Sequence, residues 1–416
     1  MKKGYIYTII CLFFSFCQIT LAKKIDGAFP VYHEDGKVLM EFPRQWNDRE
    51  VEISGQIDEG FGMISRPVQS LGVVVLSIPD SMTVVFRQPF YAERILDKKS
   101  PLWEAFHVSN EPTVGDVYHA VAVSKEGNPI VDISDVVKGE KEWISYSQYG
   151  QIRSLLPDMC KLVDAHAVQN KLGNSASDGM VLSILRYHEA ESEQYAFNSL
   201  AMLLPTGSKP VTLSVCIRLL PKENIPIRLA VRDLPLQTIF FKDYSQNPYT
   251  VVDDSLVIRL NPNVSSIVYV DNRVPSKYFD PLKQGVEYWN VLFENAKVKK
   301  RLVVKRVPIG VNQAELPLLI AYDMGAKGVS SQKIVHPRTG EILFGRLNIG
   351  HDFQNPIKSE DLQKQVFREF ANILGLRLGA KETDAIHALS YLYRPQKRNA
   401  NVYQDRTVVA TIGKGN

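Results

Sequence analysis

The sequence predicts an α+β protein: a β-rich N-terminal region followed by a segment in which strands and long helices alternate. Two observations predict it. Up to about residue 263, short runs rich in Val, Ile and Phe are punctuated by turn chemistry such as Asp35-Gly36, Asn47-Asp48 and Pro79-Asp80-Ser81. After Asn263, strand-like runs are separated by two long stretches with helical spacing of apolar residues. At 416 residues and 45% hydrophobic content, the chain is also long enough for two or more domains. The expected divisions are a leader over 1–22, β-rich regions over 23–150 and 151–263, and a final domain over 264–416.

The leader has a basic start at Lys2 and Lys3, an apolar run from Tyr5 to Phe16, and a Thr20-Leu21-Ala22 end. That pattern reads as a secretory signal peptide cut before Lys23, which places the protein outside the cell or in the periplasm. No later apolar run is long enough to span a bilayer. The formal net charge is +4, of which Lys2 and Lys3 supply two, so the mature chain has no electrostatic footprint for nucleic acid. Of the four cysteines, Cys11 and Cys17 lie in the leader. Cys160 and Cys216 sit in apolar surroundings and read as two buried thiols, with a bridge as the alternative that an oxidising compartment permits.

Lys37–Phe42, Glu50–Ile57, Gly72–Ile78 and Met82–Gln88 read as strands, and His119–Val123 with Pro129–Ile133 as a hairpin around Glu126-Gly127-Asn128. His33, His107 and His119 have no ligand spacing. Gln151–Ala167 is mixed, with a helix as one option. Met180–Tyr187, Gln194–Leu204 and Val211–Leu220 resume as strands, and Leu229 to Asn261 is irregular, with an aromatic cluster suited to packing. Ser265–Val270 is a strand, and Pro275 to Ala296 a helix with Phe279, Leu282, Val286, Trp289, Phe293 and Ala296 at alternating spacings of three and four. Strands follow at Leu302–Pro308 and Leu318–Asp323, then a hairpin of Val329–Val335 and Glu341–Ile349 around His336-Pro337-Arg338-Thr339-Gly340.

The second long helix starts at Ser359, a candidate N-cap, with Glu360 and Asp361 in its first turn. Leu362, Val366, Phe370 and Leu374 form its apolar stripe, and Gly375 is a plausible end. Within it, Arg368 to Leu378 lies in register with the zinc pattern HExxHxxGxxH. Glu369 falls on the general base and Gly375 on the turn, while Arg368, Asn372 and Leu378 fall on the three ligand positions. Guanidinium is not a metal ligand, leucine has no lone pair, and an amide is a poor zinc donor.

Three landmarks precede this helix. They are Ile267-Val268-Tyr269-Val270-Asp271-Asn272-Arg273-Val274-Pro275, then Gly285-Val286-Glu287-Tyr288-Trp289-Asn290 with Phe293-Glu294, then Val335-His336-Pro337-Arg338-Thr339-Gly340-Glu341-Ile342. With Asp35 to Pro43 and Asp243 to Pro248, they resemble, in order, a family of large secreted bacterial zinc-dependent metalloproteases of the metzincin type. The resemblance covers most of the mature chain. It implies a metzincin-like α/β upper subdomain, a twisted sheet with two long helices, over 264–416. It also identifies Arg368 to Leu378 as the place of the zinc motif.

This sequence departs from the family at all three ligands. The last methionine is Met324, so no methionine turn follows the motif, and the stretch from Ala380 to Asn416 is short beside the family's continuation. Without zinc no water is acidified and no carbonyl polarised. Glu369 and Arg368 then serve to seat the helix. The implied protein is a secreted, catalytically inactive pseudoprotease with no cofactor, binding polypeptide or a partner protein. An atypical zinc endopeptidase using His336 or His351, and a truncated paralogue, are the other readings. In the family, the edge strand beside the cleft runs antiparallel to substrate. By residue match it is Ser330, Ser331, Gln332, Lys333, Ile334 and Val335. Such an edge can add a peptide strand without metal, unless Ala380–Asn416, through Val408–Ile412, covers it.

Overall fold

The computed structural model describes residues 23–34, 36–60, 68–141, 143, 156–168, 178–189, 208–222, 225–245, 249–263, 266–323, 328–350, 357–395 and 403. The leader, Gln194–Leu204, His351 and Val408–Ile412 lie outside them. In chain order the strands of the first half are β1 (Lys23–Ile25), β2 (Val31–Glu34), β3 (Lys37–Glu41), β4 (Arg49–Glu59), β5 (Val68–Ser77), β6 (Thr83–Gln88), β7 (Glu93–Arg94), β8 (Thr113–Val123) and β9 (Pro129–Asp132). Two short helices, α1 (Trp103–Ser109) and α2 (Ser134–Lys138), flank β8 and β9. Then come β10 (Lys161–Val168), β11 (Gly179–Glu189), β12 (Ser208–Leu219), β13 (Thr238–Asp243), β14 (Val252–Val257) and β15 (Ser266–Val270). The last part is α3 (Ser276–Asn295), β16 (Leu302–Arg306), β17 (Leu318–Asp323), β18 (Val329–Val335), β19 (Ile342–Gly350), α4 (Ser359–Ile373) and α5 (Glu382–Tyr393).

The expected fold class is overturned. Among the described residues, strands take 43% and helices 23%, and the fold is dominated by one large, nearly barrel-shaped antiparallel sheet rather than a metzincin α/β fold with two long helices. That sheet has eleven strands in the order β1-β2-β3-β9-β8-β6-β5-β4-β12-β11-β10, and β1 lies against β10. It runs across residue 150, so the boundary expected between 23–150 and 151–263 divides strands of one sheet. Gln151–Ala167 contributes β10, not a helix. The reason is pairing over distance: β4 pairs with β12 across about 160 residues, which local periodicity does not encode.

Alternation explains how the sheet closes on a core. Val51, Ile53 and Ile57 of β4 join Met40, Phe42, Phe86, Leu182 and Leu213 in one cluster. The intervening Glu52, Ser54 and Gln56 are buried as well. On that second face Arg218 of β12 lies 3.1 Å from Glu52, and Arg346 of β19 donates to Gln56 at 3.2 Å.

The second sheet has the order β16-β15-β17-β19-β18, with β18 antiparallel to β19 and the others parallel. One face is covered by α3, α4 and α5: Leu282, Val286, Trp289 and Phe293 of α3 pack with Leu362, Val366 and Phe370 of α4 and Leu389 and Leu392 of α5. Trp289 stacks on Phe367 at 4.6 Å and donates its indole N–H to the Phe367 carbonyl. The helices expected over Pro275–Ala296 and from Ser359 are present. The N-cap of α4 is Lys358, however, and no side chain caps it, so Ser359 does not take that role. A third sheet, β14-β13-β7, completes the fold.

The turn after β18 docks on the large sheet. His336 is 0% exposed, and the Arg338 backbone N–H donates to its Nδ1 at 3.2 Å. Its Nε2 therefore carries the proton, facing Glu50 Oε2 at 3.3 Å. Arg338 bonds both oxygens of Glu50, and Arg94 donates to the Pro337 and Arg338 carbonyls at 2.6 Å each. Burial alone would push the Glu50 carboxyl up, but hydrogen bonds from His336 and Arg338 outweigh it and hold the carboxyl well below the usual carboxylate range.

Candidate functional site

The residues at the zinc-pattern positions meet the edge strand in a hydrogen-bonded cluster. Side chains on β18 alternate: Ser331 and Lys333 reach α4, whereas the Gln332 amide oxygen accepts from the Val68 backbone N–H at 3.2 Å. Ser331 Oγ donates to Glu369 Oε2 at 2.7 Å and accepts from Asn372 Nδ2 at 2.9 Å. Lys333 Nζ donates to Asn372 Oδ1 at 2.8 Å and to the Asn372 carbonyl at 2.7 Å. It also donates to Gln237 Oε1. Gln237 in turn donates to Asn372 Oδ1 at 2.6 Å and to the Leu376 carbonyl at 2.7 Å.

Gln237 belongs to the irregular stretch before β13, and the chain leaving α4 is pinned to that stretch. Leu236 forms a bridge with Leu376, the Gln237 backbone N–H donates to Gly375 O at 2.7 Å, and the Arg377 N–H donates to Pro235 O at 2.9 Å. Gly375 makes this possible at φ +84°, ending the helix as expected.

Of the positions matched to zinc ligands, only Asn372 enters the cluster. Arg368 is exposed and Leu378 is 46% exposed. The donor set does not fit a zinc ion: the Asn372 oxygen already accepts two donors, one of them an ammonium, and a fixed positive charge beside it opposes a second cation. Burial pushes the Lys333 amine down to about 8. Glu369 is tied to Ser331, so it seats the helix against β18, whereas Arg368 makes no such contact among the described residues. His336, with both ring nitrogens engaged and no exposure, lies in the seam on Glu50 and not beside this cluster.

The edge strand itself is where the sequence places it. Among the described residues β18 pairs with β19 on one side alone. Ser330 is exposed, Ile334 is buried and Val335 is half-buried against the core. Of the candidate cover, α5 packs on α3, and Arg228 and Arg259 donate to carbonyls at its C-terminal end. No disulfide joins Cys160 to Cys216. Cys216 is buried, and that burial pushes its thiol up to about 12, while Cys160 is only half-buried, not enclosed as expected.

Sequence reasoning did not find Gln237 or the role of Lys333. A glutamine in an aperiodic stretch carries no signal, and a lysine on an edge strand reads as a solvated guard against aggregation. No protein-family model, curated protein or solved structure matches the chain.

Proposed function

We propose that this is an exported, catalytically inactive relative of the zinc-dependent metalloproteases it resembles, and that it holds extended polypeptide on the β18 edge without cleaving it. One observation carries the reading: at the ligand place the Lys333 ammonium bridges β18 to Asn372, so strand and helix are held in register by protein hydrogen bonds alone. A strand fixed from behind presents a pre-ordered backbone to an incoming peptide, which lowers the ordering cost of pairing. No helix among the described residues is long and apolar enough to cross a membrane.

Backbone hydrogen bonds worth about 0.5–1.5 kcal/mol each set the affinity. Four of them give about 4 kcal/mol, a dissociation constant on the order of 1 mM, with little sequence preference. The test uses fluorescent casein as an unfolded polypeptide, with binding read by anisotropy and integrity by mass spectrometry. Saturable binding of intact casein is expected, lost in Ser331→Pro but kept in Ser331→Ala, which removes the hydroxyl and leaves the backbone N–H. In the β18–β19 register the Ser330 N–H faces Asn348, whereas the Ser331 N–H faces the open side. Unchanged binding by a Ser331→Pro protein with native circular dichroism, or casein cleavage, would contradict the reading.

A further inference from the structure

We propose, resting on the reading that β18 holds extended polypeptide, that the strand it takes is acidic and that Arg368 selects it by pairing with a carboxylate of the bound chain.

Helix α4 sets Arg368 over the open edge. At about 100° per residue, Gln363, Val366 and Phe367 share one side of the helix, and Gln365, Glu369 and Asn372 another. The first side meets α3: Phe367 stacks on Trp289, and the Gln363 carbonyl oxygen would lie 2.7 Å from a Cβ added at Gly285. The second meets β18: Gln365 Oε1 would lie 3.3 Å from a Cβ added at Gly328, Glu369 accepts from Ser331, and Asn372 accepts from Lys333. Arg368 is about 140–160° around the axis from Gln363 and Val366, and only about 40° from Asn372. It therefore projects on the side of α4 away from α3. Since α3 lies over β16 at the opposite edge of the sheet, where Asn290 and Leu302 exchange two hydrogen bonds, that side is the one beyond β18.

The Arg368 guanidinium is exposed and makes no hydrogen bond or ion pair among the described residues. Its charged neighbours are committed elsewhere. Glu369 is tied to Ser331, and Lys333 to Asn372 and Gln237. Beside Ser331 and Lys333 these three groups amount to two cations against one anion, and the charge open to solvent is that of Arg368. Lys364, also exposed, lies one turn away, and Arg377 past the helix end donates its Nε to the Leu236 carbonyl. Asp361 stands two turns nearer the helix start, about 10 Å along the axis.

An added strand runs about 4.8 Å from β18. The Ser331 and Lys333 N–H groups face it, and the side chains of both residues rise to α4. Every second side chain of the added strand rises on that same face, where Arg368 projects. Guanidinium presents a fixed fork of donors that a carboxylate accepts in pairs. An Asp or Glu there gains an ion pair and a Lys there is repelled, whereas backbone pairing is indifferent to sequence. A second copy of β18 fits less well. Antiparallel pairing of two such edges about a two-fold axis puts both α4 helices on one face and turns the two Arg368 side chains toward each other, a like-charge contact.

Three fluorescein-labelled decapeptides of alternating Thr and X, with X as Glu, Gln or Lys, test this by anisotropy with the full chain. The Glu peptide is expected to bind about threefold tighter than the Gln peptide, and the Lys peptide about threefold weaker, the scale of a solvent-exposed ion pair. The difference should fade at about 1 M salt, where screening acts over about 3 Å. Arg368→Glu should reverse the order and leave the Gln peptide unchanged. Lys125→Glu, an equal change of net charge on the exposed turn between β8 and β9, should keep the order. Equal binding of all three peptides, or an order that Arg368→Glu leaves intact or that Lys125→Glu also reverses, would overturn the acidic preference while leaving edge binding in place. Binding of none of them would overturn both. Dimers of the unsubstituted chain that Ser331→Pro dissociates would assign the edge to a second copy and overturn the proposal as well.

Discussion

Replacing Gly375 by alanine is expected to destabilise the chain by about 3 kcal/mol or more, as overlap with fixed backbone adds to left-handed strain. A Cβ built there would sit 1.9 Å from the Ile258 carbonyl oxygen and 2.8 Å from its carbon. The obstacle is backbone, not the end of a flexible side chain, so one of two pinned segments must move. Either movement breaks the pairing of Leu376 with Leu236 that delivers Gln237 to the cluster. Gly379, four residues on, provides the control. It has φ +81° and nothing within 4 Å of its added Cβ. Its alanine variant should lose only about 1 kcal/mol, the conformational cost alone. Urea unfolding of the two variants measures the difference; equal losses would show that the close approach at Gly375 is not rigid.

Asn372→Ala is expected to cost about 2–4 kcal/mol, the loss of three hydrogen bonds of which one is charge-assisted. Its amide accepts from Lys333 and Gln237 and donates to Ser331. Truncation leaves the Lys333 ammonium with fewer acceptors in a site where burial already disfavours its charge. By contrast, Arg368→Ala should change stability by less than about 0.5 kcal/mol, as for exposed positions without a specific contact. Both residues are in register with ligand places of the zinc pattern, so urea unfolding separates the position with a structural role from the one without. A loss below about 0.5 kcal/mol for Asn372→Ala would show that strand and helix are held mainly by apolar packing.

Legibility in the sequence follows the range of the interaction. Helix α4 was legible because Leu362, Val366 and Phe370 repeat at helical spacing and pack as that spacing requires. Strand β18 was legible because a Pro/Gly turn follows a β-prone run, and its bounds match Val329–Val335. The fold class was not. Each short strand of the first half was visible singly, but nothing in Arg49–Glu59 states that its neighbour is Ser208–Leu219. Burial on both faces of β4 was equally hidden, since Glu52, Ser54 and Gln56 read as a solvated face until Arg218 and Arg346 are brought to them. At the candidate site Glu369 and Asn372 were found through their register with a known pattern. Gln237 contributes through a contact that spans 135 residues. Lys333 was identified as part of the edge, yet its side chain turns inward to the helix instead of outward to solvent.

A lysine-bridged cluster stands at Asn372, one of the positions in register with the zinc pattern. Elemental analysis of the full chain, purified without chelator, tests this most directly. No stoichiometric zinc is expected, because Arg368 is exposed, Leu378 has no donor and the Asn372 oxygen is committed to Lys333 and Gln237. One tightly bound zinc per chain, lost when Glu369 or His351 is replaced, would contradict it.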